Sequence, residues 1–212
     1  MSTTQDSQAP FPVVDGRAFL AAEIESPRWL VENIVPAEAC AFIAGPPKMG
    51  KTWLGLDLAL AVASEGEFLG RPVEVCGRVL YIDAETPPAQ LQDRLRKLAA
   101  GRGLGDDALA NVDLLHGRRF FVDDGDEYQR LVATIEGRQP ALIVLDPLVR
   151  YHRADENSAT EMSRLLGALR ELTHICHSTL VVCHHLNKGA GENGRRAGQN
   201  LRGSSDLHGW YD

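Results

Sequence analysis

The apolar positions of this chain follow two rhythms. Short continuous runs at 39–44, 78–83, 112–115, 141–145 and 179–183 are rich in Val, Ile, Leu and Ala. They are too short for helices and predict strands buried on both faces. Between them, at 51–64, 88–100, 126–137 and 158–174, apolar residues recur every three or four positions, as on helices that hide one side. Strand and helix in alternation means βαβ units, so the predicted class is α/β, with a mostly parallel sheet flanked by helices. Such sheets hold ligands outside the carboxyl ends of their strands, so functional residues are sought just after each run.

The start of the chain has neither rhythm. Residues 1–12 are polar and proline-bearing and read as a disordered tail. From 15 to 36, Phe19, Leu20, Trp29, Leu30, Val31 and Ile34 alternate with charges, which predicts short helical pieces leading into the core. Residues 1–28 are accordingly set apart as a flexible N-terminal extension, and 29–212 as one domain.

Composition narrows the function classes. The 212 residues carry 22 Lys and Arg against 29 Asp and Glu, a formal charge of −7 that argues against coating nucleic acid by bulk charge. The four cysteines, Cys40, Cys76, Cys176 and Cys183, form no C-x-x-C pair, which suits a reducing cytoplasm. No secretory signal opens the chain, and no apolar run approaches the ~20 residues of a bilayer span. Lysine is scarce, with four in the chain, and Lys48 and Lys51 share one glycine-bearing stretch.

That stretch follows the first strand and reads Gly45-Pro46-Pro47-Lys48-Met49-Gly50-Lys51-Thr52, then Trp53, satisfying G-x-x-x-x-G-K-[ST] with an amphipathic helix directly behind it. Glycines let the backbone curl so that several N–H groups face one anion, and the helix adds its positive N-terminal dipole. ATP is the ligand this predicts, with Lys51 on the β and γ phosphates and the Thr52 hydroxyl on Mg²⁺. Lys48 reads as a solvated member of the loop.

Two later strands end in carboxylates. The run 141–145 leads into Asp146, placed to help Thr52 hold Mg²⁺. The run 78–83 leads into Asp83-Ala84-Glu85; Glu85 is the candidate to deprotonate or orient the attacking water, and Asp83 is expected either to face the other way or to brace the loop. The fifth strand runs into His184-His185. Alternation along a strand sends Cys183 and His184 to opposite faces, against a shared zinc site, so His184 reads as a buried histidine and His185 as a γ-phosphate sensor. Beyond it, residues 187–203 carry Lys188, Arg195, Arg196 and Arg202 against Glu192 alone, a cationic loop for single-stranded nucleic acid or simply a solvated one.

The order of these segments resembles the RecA-like P-loop ATPases, and within them the RepA-type hexameric replicative helicase branch (AAA_25-like). The matching stretches are 45–52, 80–88 (LYIDAETPP), 144–157 (VLDPLVRYHRADEN), 184–188 (HHLNK) and 202–205 (RGSS). The resemblance implies a RecA-like ATPase domain over 29–212, Lys51, Glu85, Asp146 and His185 as catalytic residues, and a homo-oligomeric ring, hexameric in the relatives, acting in DNA replication on single-stranded DNA. It also implies that 151–157 and 188–201 line a central channel. Where the relatives carry an arginine finger, shortly after RGSS, this chain reads Gly209-Trp210-Tyr211-Asp212; Arg202 is the nearest arginine. Against the family pattern the sheet would continue past Asp212, so the chain is expected to be a core truncated at its C-terminus. The alternative function is a nucleotide-controlled regulator or loader that captures a protein partner without unwinding DNA. A small-molecule kinase fits less well, because Glu85 with His185 suits attack by water.

Overall fold

The structure is a computed structural model that describes residues 12–24 and 26–185. In chain order the elements are α1 (Gly16–Ala21), β1 (Trp29–Val31), β2 (Val35–Pro36), β3 (Cys40–Gly45), α2 (Lys51–Ala63), β4 (Glu67–Phe68), β5 (Arg71–Pro72), β6 (Val79–Asp83), α3 (Pro88–Arg102), α4 (Asp106–Leu109), β7 (Val112–His116), α5 (Gly125–Arg138), β8 (Leu142–Asp146), a 3₁₀ turn (Leu148–Arg150), α6 (Ala159–Cys176) and β9 (Thr179–His185). All five predicted strands and all four predicted helices are present, with their limits moved by a few residues.

Five strands, in the order β3-β9-β8-β6-β7, form one parallel sheet. Alternate side chains along each strand divide the core in two. Val79 and Tyr81, Leu142 and Val144, and Val181 and Cys183 pack with Leu56, Leu58 and Val62 of α2 and Leu91 of α3. Leu80 and Ile82, Ile143 and Leu145, and Leu180 and Val182 pack with Leu131 and Ile135 of α5 and Leu165 and Leu169 of α6. Both faces of the sheet are therefore covered, which is why the strands read as continuous apolar runs rather than alternating ones.

The region 29–36 departs from the helical expectation. Trp29–Val31 and Val35–Pro36 form an antiparallel hairpin whose Leu30, Val31 and Val35 are buried against the α2 side of the core. Leu30, Val31 and Val35 are too few to show a period, and the backbone of Leu30 and Glu32 is paired with Glu74 and Pro72. A second hairpin, β4–β5, turns on Leu69 and Gly70, both at positive φ (51° and 73°), the geometry of a two-residue type I′ turn. Of the proposed extension, the short helix α1 is capped by Asp15, whose carboxylate accepts from the N–H groups of Arg17 and Ala18, and buries no residue.

Candidate functional site

Residues 46–50 turn the chain from β3 into α2. Gly50 makes the last step at φ 87°, a left-handed conformation that costs glycine little, and places Lys51 on the first turn of the helix. The Lys51 ammonium folds back onto the carbonyls of Gly45 (2.9 Å) and Pro46 (3.0 Å) and lies 3.2 Å from Nδ1 of His185. Parallel pairing aligns Gly45 with His185, which brings these distant residues together. Burial draws the Lys51 ammonium below the ordinary lysine range, while Cys183, Asp146 and Glu85 pull the other way.

Neighbouring strands β6 and β8 place Asp83 beside Asp146. Strand β9 lies between β3, which leads into the phosphate loop, and β8. The Asp146 carboxylate nevertheless faces the loop: it accepts a hydrogen bond from the Tyr81 hydroxyl at 2.9 Å, and Thr52 and Cys183 are near enough to favour its charged form. Burial lifts the Asp146 carboxyl above the usual carboxylate range, and these groups hold it back only in part. Burial and the nearby Asp146 charge push the Tyr81 hydroxyl and the Cys183 thiol well up, so both keep their protons.

Of the two expectations for Asp83 the structure shows the second: it lines the same cavity as Glu85 rather than facing away, and it braces the loop. Its Oδ1 accepts from the backbone N–H groups of Glu85 and Thr86, both at 2.8 Å. This turn projects the Glu85 side chain outward, where its carboxylate forms an ion pair with Nε of Arg150. Arg150 comes from the 3₁₀ turn that follows β8 and Pro147.

A cavity of about 490 Å³ joins these groups. The loop contributes Pro47, Lys48, Gly50, Lys51, Thr52 and Trp53, and the strand ends contribute Asp83, Glu85, Asp146 and His185. Gly45 and Met49 instead face an adjoining hollow, and Pro46 offers its carbonyl to Lys51. On the outer wall the Arg94 guanidinium lies 5.7 Å from the centre of the Trp53 ring. His184 is on the other face of β9, buried against Phe42 at a ring separation of 6.1 Å, so alternation separates it from His185 as expected. Lys188, Arg195, Arg196 and Arg202 lie outside the described residues. A larger hollow of about 600 Å³ sits at the amino ends of the strands, around Glu38, Gln139 and His177, and holds none of these groups.

Sequence reasoning overlooked Tyr81, Cys183, Arg94 and Arg150. Tyr81 and Cys183 sit inside apolar runs and read as core. Only the register that sets Tyr81 and Cys183 beside the Asp146 end of β8 reveals them as its neighbours.

Two comparisons place the chain among known proteins. It matches the AAA domain family (AAA_25) over residues 4–191. In fold it is similar to the crystal structure of the RadB recombinase, with a TM-score of 0.53 and 22% sequence identity over 82% of this chain and 72% of that one. With the phosphate loop at the head of α2 and five parallel strands, of which β6 and β8 end in the carboxylates of Asp83 and Asp146, the fold is that of a RecA-like P-loop ATPase, and the chain belongs to the AAA domain family.

Proposed function

We propose that this chain hydrolyses ATP in the 490 Å³ cavity, as the ATPase core of a RepA-type, ring-forming DNA helicase that acts on single-stranded DNA. The observation that carries the reading is the convergence of Lys51, Thr52, Asp146 and Glu85 on one cavity, whose volume falls in the roughly 300–1,000 Å³ span of small-molecule sites. The donor set suits Mg²⁺–ATP. The Thr52 hydroxyl and the Asp146 carboxylate are hard oxygen ligands lining the same cavity, and would hold Mg²⁺ beside the phosphates. Bound there, the ion would offset charge on the β and γ oxygens. Lys51 would exchange its carbonyl partners for phosphate oxygens, which accept stronger charge-assisted bonds.

Glu85 would take the proton of the attacking water, and its exposed carboxylate stands at the cavity rim in position to do so. His185 would report the γ-phosphate, since any anion that draws Lys51 away also removes the histidine's 3.2 Å neighbour. In this reading the subunits form a homo-oligomer, a hexameric ring, and an arginine from the next subunit completes each site.

One observation favours the alternative, a nucleotide-controlled regulator or loader. The Arg150 guanidinium pairs with Oε1 of Glu85, which makes that oxygen a weaker base and suits a site that binds nucleotide and turns over slowly. Measuring ATPase rate with and without a single-stranded oligonucleotide separates the two. The helicase reading expects strong stimulation, lost in Lys51→Ala, and at least about a hundredfold less hydrolysis with nucleotide binding retained in Glu85→Gln. Unstimulated turnover together with partner capture supports the regulator, and normal turnover by Glu85→Gln removes that residue as the base.

A further inference from the structure

Beyond the nucleotide cavity, a second pocket of about 260 Å³ opens at the carboxyl end of β7, against the first turns of α5. Arg118 and Arg119 enter it from the loop after β7, and Arg130 from α5. None of these three side chains has a hydrogen bond or ion pair among the described residues. Arg28, Arg71, Arg78, Arg102, Arg138, Arg150 and Arg153 each lie within salt-bridge distance of a carboxylate, whereas Arg17, Arg96 and Arg164 share the lack of one. What distinguishes Arg118, Arg119 and Arg130 is that all three line a single pocket on a chain of net charge −7. The pocket's one carboxylate, Glu127, is occupied, since its Oε2 accepts the Phe121 backbone N–H at 2.6 Å.

The floor is apolar. Leu115, Phe120 and Leu131 form it, and Phe120 and Leu131 are buried. Three like charges lining one small pocket repel one another, and an anion bound there would relieve that repulsion. Guanidinium forks match phosphate oxygens two at a time, and their planar faces and the apolar floor tolerate a sugar or base edge. At 260 Å³ the pocket is smaller than the usual range for whole small-molecule ligands, so it suits a single phosphate-bearing unit rather than a second nucleoside triphosphate.

We infer that Arg118, Arg119 and Arg130 form a second phosphate-binding pocket, distinct from the phosphate loop, that takes one phosphate-ester unit. Its place in the fold gives it a route to the nucleotide site. The loop that carries Arg118 and Arg119 continues to Val122, whose N–H donates to the Tyr151 carbonyl at 2.8 Å, and to Asp123, whose carboxylate accepts the Arg153 N–H at 2.8 Å. Arg153 also stacks on Phe121, 4.0 Å from the ring centre. Tyr151 follows Arg150 directly, so a phosphate seated in the pocket bears on the segment that holds Glu85.

Two sources offer this chemistry, a nucleic acid strand and free phosphates, and the test separates them. All three arginines are exposed, so the triple variant Arg118→Gln, Arg119→Gln, Arg130→Gln should fold, with circular dichroism and binding of a fluorescent ATP analogue as checks. Fluorescence anisotropy with a labelled oligothymidylate is expected to show at least about tenfold weaker binding in the triple variant, with a salt dependence shallower by about one unit of slope for each phosphate no longer held. In a Lys51→Ala background, which disables the phosphate loop, pyrophosphate should still raise the melting temperature, and adding the triple substitution should abolish the rise. A drop in oligonucleotide affinity identifies a strand as the source; disappearance of the pyrophosphate effect alone identifies free phosphate. If neither response depends on the three arginines, the pocket is not a phosphate site. ATPase rates in the triple variant without DNA bear only on the nucleotide cavity, so failure of the pocket and failure of the ATPase reading are distinguishable.

Discussion

Asp146 is buried at the end of β8, and its charge is tolerated because the Tyr81 hydroxyl donates to it and Thr52 and Cys183 nearby also favour the charged form. Burial still dominates and raises its carboxyl above the ordinary aspartate value of about 3.9. Between that value and the raised one, the folded chain holds a proton that the unfolded chain has released. Stability should therefore fall as pH rises through this window. Asp146→Asn removes the effect, so without nucleotide or Mg²⁺ the variant's melting temperature should match the natural chain's below about pH 4 and exceed it by a margin that grows until pH passes the raised folded value and then levels off. A difference that stays constant with pH would contradict the sign argued here. The variant should also lose Mg²⁺-dependent nucleotide binding, the usual exchange of stability for function at a charged site. At this scale the sequence was a good guide to the residues that end strands and a poor one to those within them. Glu85, Asp146 and His185 stand where a run stops, whereas Tyr81 and Cys183 look like any other core residue until strand register places them.

Helix α2 has two tasks, to point its N-terminus at the cavity and to lie close enough to the sheet for Thr52 to reach Asp146. Gly55 allows the second. A Cβ at this position would meet the Tyr81 hydroxyl oxygen at 3.2 Å and Val144 Cγ1 at 3.5 Å. Gly55→Val would add two methyl groups beyond that Cβ, driving the helix from the sheet or Tyr81 from Asp146. Overpacking of this kind costs about 1–3 kcal/mol, more than the gain in helix propensity over glycine. Denaturant unfolding should show that loss, and nucleotide affinity should fall with it; unchanged stability would show that α2 has slack at this point. The long elements were legible because their periods are sustained, as in α6 from Ala159 to Cys176. The hairpins β1–β2 and β4–β5 were not, because strands of two or three residues have no period and the β4–β5 turn places a leucine at positive φ where Asn or Gly is the usual signal.

For the whole molecule, strand order does what no single element can. The chain runs from β3 to β6 and β7, returns through β8, and inserts β9 last between β3 and β8. This insertion carries Cys183 and His185 into the space between the phosphate loop and Asp146. Because β9, the last of the described strands, completes the site, the site's geometry depends on the assembled sheet. The ring proposed above makes a prediction at this scale. With a non-hydrolysable ATP analogue and a single-stranded oligonucleotide, the particle mass should approach six times 23.2 kDa. A particle that remains at one chain under both conditions would remove the ring, while leaving ATP hydrolysis by the single domain to be judged on its own rate.

Local order was decided by short-range physics, which is why it could be read from the residues in line. Buried strands need continuous apolar runs, helices need a three-to-four spacing, and a phosphate loop needs glycines before its lysine, and all of these constraints act between near neighbours in the chain. Pairing was decided by packing over long distances. Which strands lie side by side, that Tyr81 donates to Asp146, that Arg150 pairs with Glu85, and that three arginines line one pocket all depend on residues brought together only when both faces of the sheet are covered.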